Sequence, residues 1–163
     1  MTVKLGLNAK LYYYVMATRY PNYPLATAEV PPVSGTLTNY AENGNVMDLT
    51  LNLSKAEADV TTRAADGWRQ SIGTIKDGEV SFDMIYDTTD AAFNDIQKAW
   101  DSSLPIAMAV LDNDKAGVYQ GLHADFTVIT FEKQEALEDG QKVSVTLKPT
   151  DSAMAPAWIT GSP

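Results

Sequence analysis

The sequence predicts a mainly β protein: a β-sandwich or partly open barrel with one flanking α-helix and one long loop. Three observations carry this. Several short segments alternate apolar and polar residues with period two, the mark of strands with one buried face. Only residues 87–102 carry apolar side chains at helical spacing. Residues 18–45 hold Pro21, Pro24, Pro31, Pro32, Gly35 and Gly44, which interrupt both helices and ladders. Many short strands with a single helix lead to a sheet packed on a sheet or curled on itself.

The elements follow in order. Residues 5–17 read as a first strand, rich in Tyr12, Tyr13, Tyr14 and Val15. Residues 18–45 form the long loop, and a loop of that length in a compact domain is usually functional or disordered. It carries Tyr20, Tyr23, Leu25 and Val30. Such residues dock either on a neighbouring subunit or on the protein's own sheet, and both readings stay open. A hairpin comes next. Met47, Leu49, Leu51 and Leu53 fall on one side and Asp48, Thr50 and Asn52 on the other. Residues 54–56 turn the chain, after which Glu57, Asp59 and Thr61 alternate with Ala58, Val60 and Thr62.

Residues 78–86 read as a strand with Val80, Phe82, Met84 and Tyr86 on one face. In the helix over 87–102, Asp87 or Thr88 serves as cap and Asp90 sits in the favourable first turn. Ala92, Phe93, Ile96 and Trp100 form its apolar stripe, and Pro105 stops it. Residues 106–111 make a short, continuously apolar strand; 125–132 and 142–148 make two more. The whole is one domain over residues 1–149, with 150–163 as a flexible C-terminal tail containing the pair Trp158-Ile159.

Composition narrows the function. A chain of 163 residues is long enough to bury a core. It has no cysteine, which excludes a disulfide scaffold and thiolate metal sites. Residues 1–6 lack an apolar core of signal-peptide length, and no apolar run approaches the roughly 20 residues that span a bilayer. The expectation is a soluble chain made in a cytoplasm, without membrane insertion. Net charge is −9, with no basic patch for tight binding to nucleic acid. The acidity serves solubility or, more sharply, a surface that does not hold DNA.

No constellation for catalysis is present, so no enzyme, cofactor or metal is expected. His123 is the only histidine and reads as a polar strand residue. Asp112, Asp114, Gly117 and His123 echo the spacing of a calcium loop, but Ala116 holds the fifth position and His123 replaces the bidentate Glu. A solvated turn over residues 112–115 is the better reading. There is no glycine-rich phosphate loop and no Gly-x-Ser-x-Gly elbow. Trp68 beside Arg69 is either an interface pair or an anchor for its own loop.

Four blocks in order, the last in two stretches, resemble a known family. They are Leu7-Asn8-Ala9-Lys10-Leu11-Tyr12-Tyr13; the hairpin with Asp59-Val60-Thr61-Thr62-Arg63 and Gly67-Trp68-Arg69; Ile75-Lys76-Asp77-Gly78-Glu79-Val80-Ser81-Phe82; Phe126-Thr127-Val128-Ile129-Thr130-Phe131-Glu132; and the stretch from Glu138 to Lys148. Their order and spacing resemble the major tail tube protein of long, non-contractile-tailed bacteriophages. The segment 18–45 is longer than that pattern expects. The resemblance implies a structural subunit that closes into homohexameric rings. These would stack around a tape-measure protein into a hollow tube with a negative lumen that conducts the genome without gripping it. It implies tail tip or baseplate and tail terminator partners, and a place in the virion tail after synthesis in the host bacterial cytoplasm. It implies that Asp48, Asn52, Glu57 and Asp59 face the lumen, and that Tyr20, Tyr23, Leu25, Arg63, Trp68 and Arg69 contact other subunits. Open sheet edges, a hazard in a monomer, become an assembly device in a tube. Two alternatives remain. One is the tube of a contractile injection or type VI-like secretion device. The other is a monomeric β-sandwich binding module using Trp68, Trp100 and Trp158.

Overall fold

Alternating strand residues need a second layer to bury against, and in this chain one sheet and one helix supply it. The computed structural model describes residues 8–15, 37, 39–135, 140–152 and 155–162. In chain order the elements are β1 (Lys10–Tyr14), β2 (Tyr40–Glu42), β3 (Val46–Asp59), β4 (Ser71–Ile85), α1 (Ala91–Asp101), β5 (Ile106–Leu111), β6 (Tyr119–Gln134), β7 (Lys142–Pro149) and β8 (Ala157–Gly161). They form a single eight-stranded antiparallel sheet in the order β2-β1-β5-β6-β7-β4-β3, with β8 also on β6. The sheet curls into a half barrel with the helix beside it. Of the two expected architectures, the partly open barrel is the one adopted.

The main core lies between one sheet face and α1, and a second buried cluster, with Tyr12, Tyr40, Ala109, Leu111, Tyr119 and Ile159, lies on the other face of β1, β5 and β6. Val80, Phe82 and Met84 of β4, Val143, Val145 and Leu147 of β7, and Phe93 and Ile96 of α1 belong to the main core. Leu49 and Leu51 of β3 pack at its margin. Fully burying side chains of this size stabilises by about 1.5–3 kcal/mol each. The helix starts later than the sequence suggested. Asp90 is the N-cap, its carboxylate accepting from the backbone N–H of Ala92 and Phe93. Asp87 instead closes a turn onto the N–H and hydroxyl of Thr89 at 2.8 and 2.6 Å. Ala99 rather than Trp100 completes the buried stripe, while Trp100 is partly exposed and stacks on Phe131.

β6 organises the sheet. β5 pairs with its residues 121–126 on one edge. β8 and then β7 occupy the other edge in tandem, at 119–123 and 126–134. Residues 157–161, expected in a flexible tail, are therefore a strand with Ile159 buried. Gly121 permits this crowding, since a Cβ there would lie 1.8 Å from the carbonyl oxygen of Val110.

Three further expectations change. The first strand is Lys10–Tyr14 within the described residues, and β2 lies inside the segment read as loop. No turn occurs at residues 54–56. β3 runs on to Asp59, and the hairpin reverses through a 3-10 turn at Arg63–Ala65 followed by Asp66 and Gly67, both at positive φ. Ser54-Lys55-Ala56 lacks the glycine and asparagine chemistry of tight turns, whereas Asp-Gly supplies it. Finally, β4 starts at Ser71 instead of residue 78, giving the hairpin two long strands.

Candidate functional site

Two surfaces stand out, and both come from the β3–β4 hairpin. The first is a polar sheet face. Cross-strand partners share a face. Asn52 lies opposite Glu79, Thr50 opposite Ser81, Asp83 opposite Ser144, and Ser144 opposite Glu132. The result is a polar strip across β3, β4, β7 and β6, on the side away from α1. The Ser144 hydroxyl donates to Asp83 at 2.6 Å and accepts from Gln134 at 3.0 Å. Lys148 faces Glu79 at 3.6 Å, an exposed pair of small energetic consequence.

The second surface is the distal hairpin. Beyond Leu53 and Gly78, β3 and β4 continue as a two-stranded arm with solvent on both faces, apart from the half-buried Ala58. An isolated pair of strands is marginally stable in water. The arm nevertheless exposes Trp68 (79%), Ile75 (76%) and Ile72 (54%), along with Leu53 and Val60. At its tip the Val60 N–H donates to Gln70 O at 2.9 Å, and the Gln70 N–H donates to the Thr61 hydroxyl at 2.9 Å. Arg69 pairs with Asp59 at 3.2 Å. Hydrogen bonds from the Thr61 hydroxyl and N–H hold the Asp59 carboxyl below its usual range.

These two surfaces divide the residues singled out from sequence. Asn52 lies on the polar face. Asp48 sits where the β3–β4 register shifts, with φ 49°, and is exposed beside it. Met47, expected with the leucines, is thereby turned opposite Asp83 onto the polar face. Glu57 and Asp59 do not join Asn52. With no turn between them, strand alternation puts them on the opposite face, far out on the arm. Arg63, Trp68 and Arg69 do come together, at the arm tip. Tyr20, Tyr23 and Leu25 lie outside the described residues. Glu79, Asp83, Ser144 and Glu132 were not singled out, although the even-numbered polar positions of 142–148 and the odd-numbered ones of 79–83 carried the signal.

The remaining polar residues serve the fold. Asp112 and Asp114 accept from the backbone N–H of Gln120 and Ala116, closing the β5–β6 turn. His123 is buried and hydrogen-bonded to the Tyr40 hydroxyl at 2.6 Å. Burial holds its pKa below the ordinary value, partly opposed by Asp125. Trp68 stands at the arm tip, Trp100 stacks on Phe131 and Trp158 is on β8, so the three tryptophans form no common sugar platform. Among the described residues, no helix is long and apolar enough to cross a membrane.

The family model of the phage tail tube protein matches residues 34–151. The chain belongs to the phage tail tube protein family. It is a structural subunit of the virion tail, not an enzyme. Solved structures share the fold of this tail tube protein at low identity. The virion of a native gene transfer agent particle matches with a TM-score of 0.64 at 11% identity, over 96% of this chain and 98% of that one. The SPP1 tail tube matches at 0.60 and 12%, over 97% and 80%. The baseplate of the anti-feeding prophage matches at 0.61 and 4%, over 98% and 97%. A search of curated proteins found no match.

Proposed function

We propose that six copies of this tail tube protein close into a ring and that rings stack into a hollow tube through which the genome passes. Family membership supports the tube, and the likeness to a gene transfer agent tail refined with C6 symmetry supports the sixfold ring. The observation that carries the reading is the arm. A two-stranded hairpin with Trp68, Ile72 and Ile75 in solvent is an unfinished interface that further copies complete. The outer edge of β3, paired on one side only among the described residues, offers a ladder for ring closure.

In this reading Asn52 and the strip of Thr50, Glu79, Ser81, Asp83, Ser144 and Glu132 line the lumen, with Asp48 at its border. Glu57 and Asp59 go with the arm contacts instead. A polar, net acidic wall repels phosphate, and DNA slides past it. Tyr20, Tyr23 and Leu25 remain proposed contacts between copies. The tube would enclose a tape-measure protein, meet tip or baseplate and terminator proteins at its ends, and assemble from subunits made in the host cytoplasm.

Negative-stain microscopy of the purified chain tests the proposal. Rings or tubes are expected at high concentration or with a nucleating tip; monomers alone, even with tip and tape-measure proteins present, contradict it. The fold likeness to the anti-feeding prophage baseplate favours a second reading, the tube of an injection device. Genome delivery separates the two. Deleting the gene from its phage abolishes transfer of DNA under the first reading and leaves it intact under the second.

A further inference from the structure

A groove of about 590 Å³ opens where the arm leaves the sheet, lined by Leu53, Lys55, Lys76, Pro149, Pro156 and Trp158 among others. We infer that this groove receives an extended, carboxylate-bearing segment of a second copy of this chain. The inference rests on the tube reading and adds to it a specific seat, separate from the β3 edge.

Three observations point to that occupant. The first is charge. Lys55 and Lys76 are direct cross-strand partners, and like charges so placed destabilise a hairpin. Among the described residues neither side chain makes an ion pair or hydrogen bond. Asp77, also in the lining, is engaged locally, its carboxylate accepting the N–H of Gly78 at 2.9 Å. A chain of net charge −9 thus keeps two adjacent ammonium groups unpaired beside an apolar floor. A second, acidic copy supplies the missing carboxylates. DNA fits less well, because two lysines flanked by a carboxylate make few phosphate contacts.

The second observation is backbone supply. β7 ends at Pro149, and beyond it, among the described residues, β4 residues 71–77 pair with β3 alone while β8 pairs with β6 alone. The two open edges border the groove, so an extended segment entering it finds unpaired N–H and C=O groups. The third is the floor. Trp158, 55% exposed, and Leu53 offer apolar area of the kind that anchors interfaces.

The test uses tubes assembled from an equal mixture of nitrogen-14 and nitrogen-15 protein, treated with a zero-length carbodiimide cross-linker. Mixed-isotope cross-links joining Lys55 or Lys76 to an Asp or Glu are expected. Tubes that cross-link between copies only through other lysines overturn the inference. In parallel, the paired substitution Lys55→Glu with Lys76→Glu should keep the circular-dichroism spectrum and lower tube yield at least tenfold, whereas Lys55→Arg with Lys76→Arg assembles as wild type. Should the double Glu variant unfold, Trp158→Ser serves the same purpose. Normal tubes from a folded double Glu or Trp158→Ser variant overturn the seat and leave the tube reading standing. A wild-type chain that never assembles overturns both. Saturable binding of a short duplex DNA, lost in the double Glu variant, would reassign the groove to nucleic acid.

Discussion

β4 passes through two environments within one strand. From Val80 to Met84 every second side chain is buried under α1; from Ser71 to Asp77 none is. β3 makes the same passage from Leu49 and Leu51 to the exposed residues after Asn52. The body and the arm thus share two strands and one ladder, whose register shifts once within the arm between Lys55 and Glu57, and they differ mainly in whether a second layer covers one face. Period-two alternation records that a face will be covered. It does not record whether the cover belongs to the same chain. In the body the cover is the helix; in the arm we propose that it is another copy.

Substitutions break this comparison in a graded way. The largest loss of stability is expected for Phe93→Ala in the body, about 3–5 kcal/mol, read as a lower midpoint in urea with circular dichroism. Gly121→Ala should follow at about 1–3 kcal/mol, because the new methyl group meets the Val110 carbonyl and the β5–β6 ladder has to move. Asp90→Ala removes the helix cap and should cost about 1 kcal/mol. Paired replacement of Trp68 and Ile75 by Ser in the arm should change monomer stability by only about 0.5 kcal/mol while suppressing assembly in light scattering. A loss of several kcal/mol there would mean that the arm packs on its own chain.

Acid sharpens the same contrast. Burial lowers the pKa of His123 in the folded chain below its ordinary 6.5. The unfolded chain then binds more protons between the two values, so this contribution is present above 6.5 and is lost as pH falls below it. The carboxyls of Asp59 and Asp87, held below 3.8, add stability lost only at lower pH. Thermal midpoints between about pH 7.5 and 5.5 should therefore decline in wild type and stay flatter in His123→Gln.

Much of the body was legible in the sequence because its signals are local. Alternation in 142–148 and 80–84, the stripe of Ala92, Phe93 and Ile96, and the break at Pro105 each report their own element. The hairpin turn was misplaced because its leucine pattern fades at Ser54, where burial ends but the strand does not. That placement grouped Glu57 and Asp59 with Asn52, whereas the continuous strand turns them to the opposite face. β8 was hidden because Ala157–Gly161 is short and held by the edge of β6, a contact between distant parts of the chain. The grouping of Arg63, Trp68 and Arg69 was visible because the turn brings them together locally. The Lys55–Lys76 juxtaposition was not, since it depends on the register of the uninterrupted hairpin.

Hydrogen exchange before and after assembly tests the central claim most directly. In dilute monomer, the backbone amides of residues 54–59 and 71–77 should exchange far faster than those of 143–147 in β7. In assembled tubes the arm amides should slow by at least tenfold, while β7 changes little. Arm amides that are already protected in the monomer, or that exchange equally fast in the tube, would contradict the account.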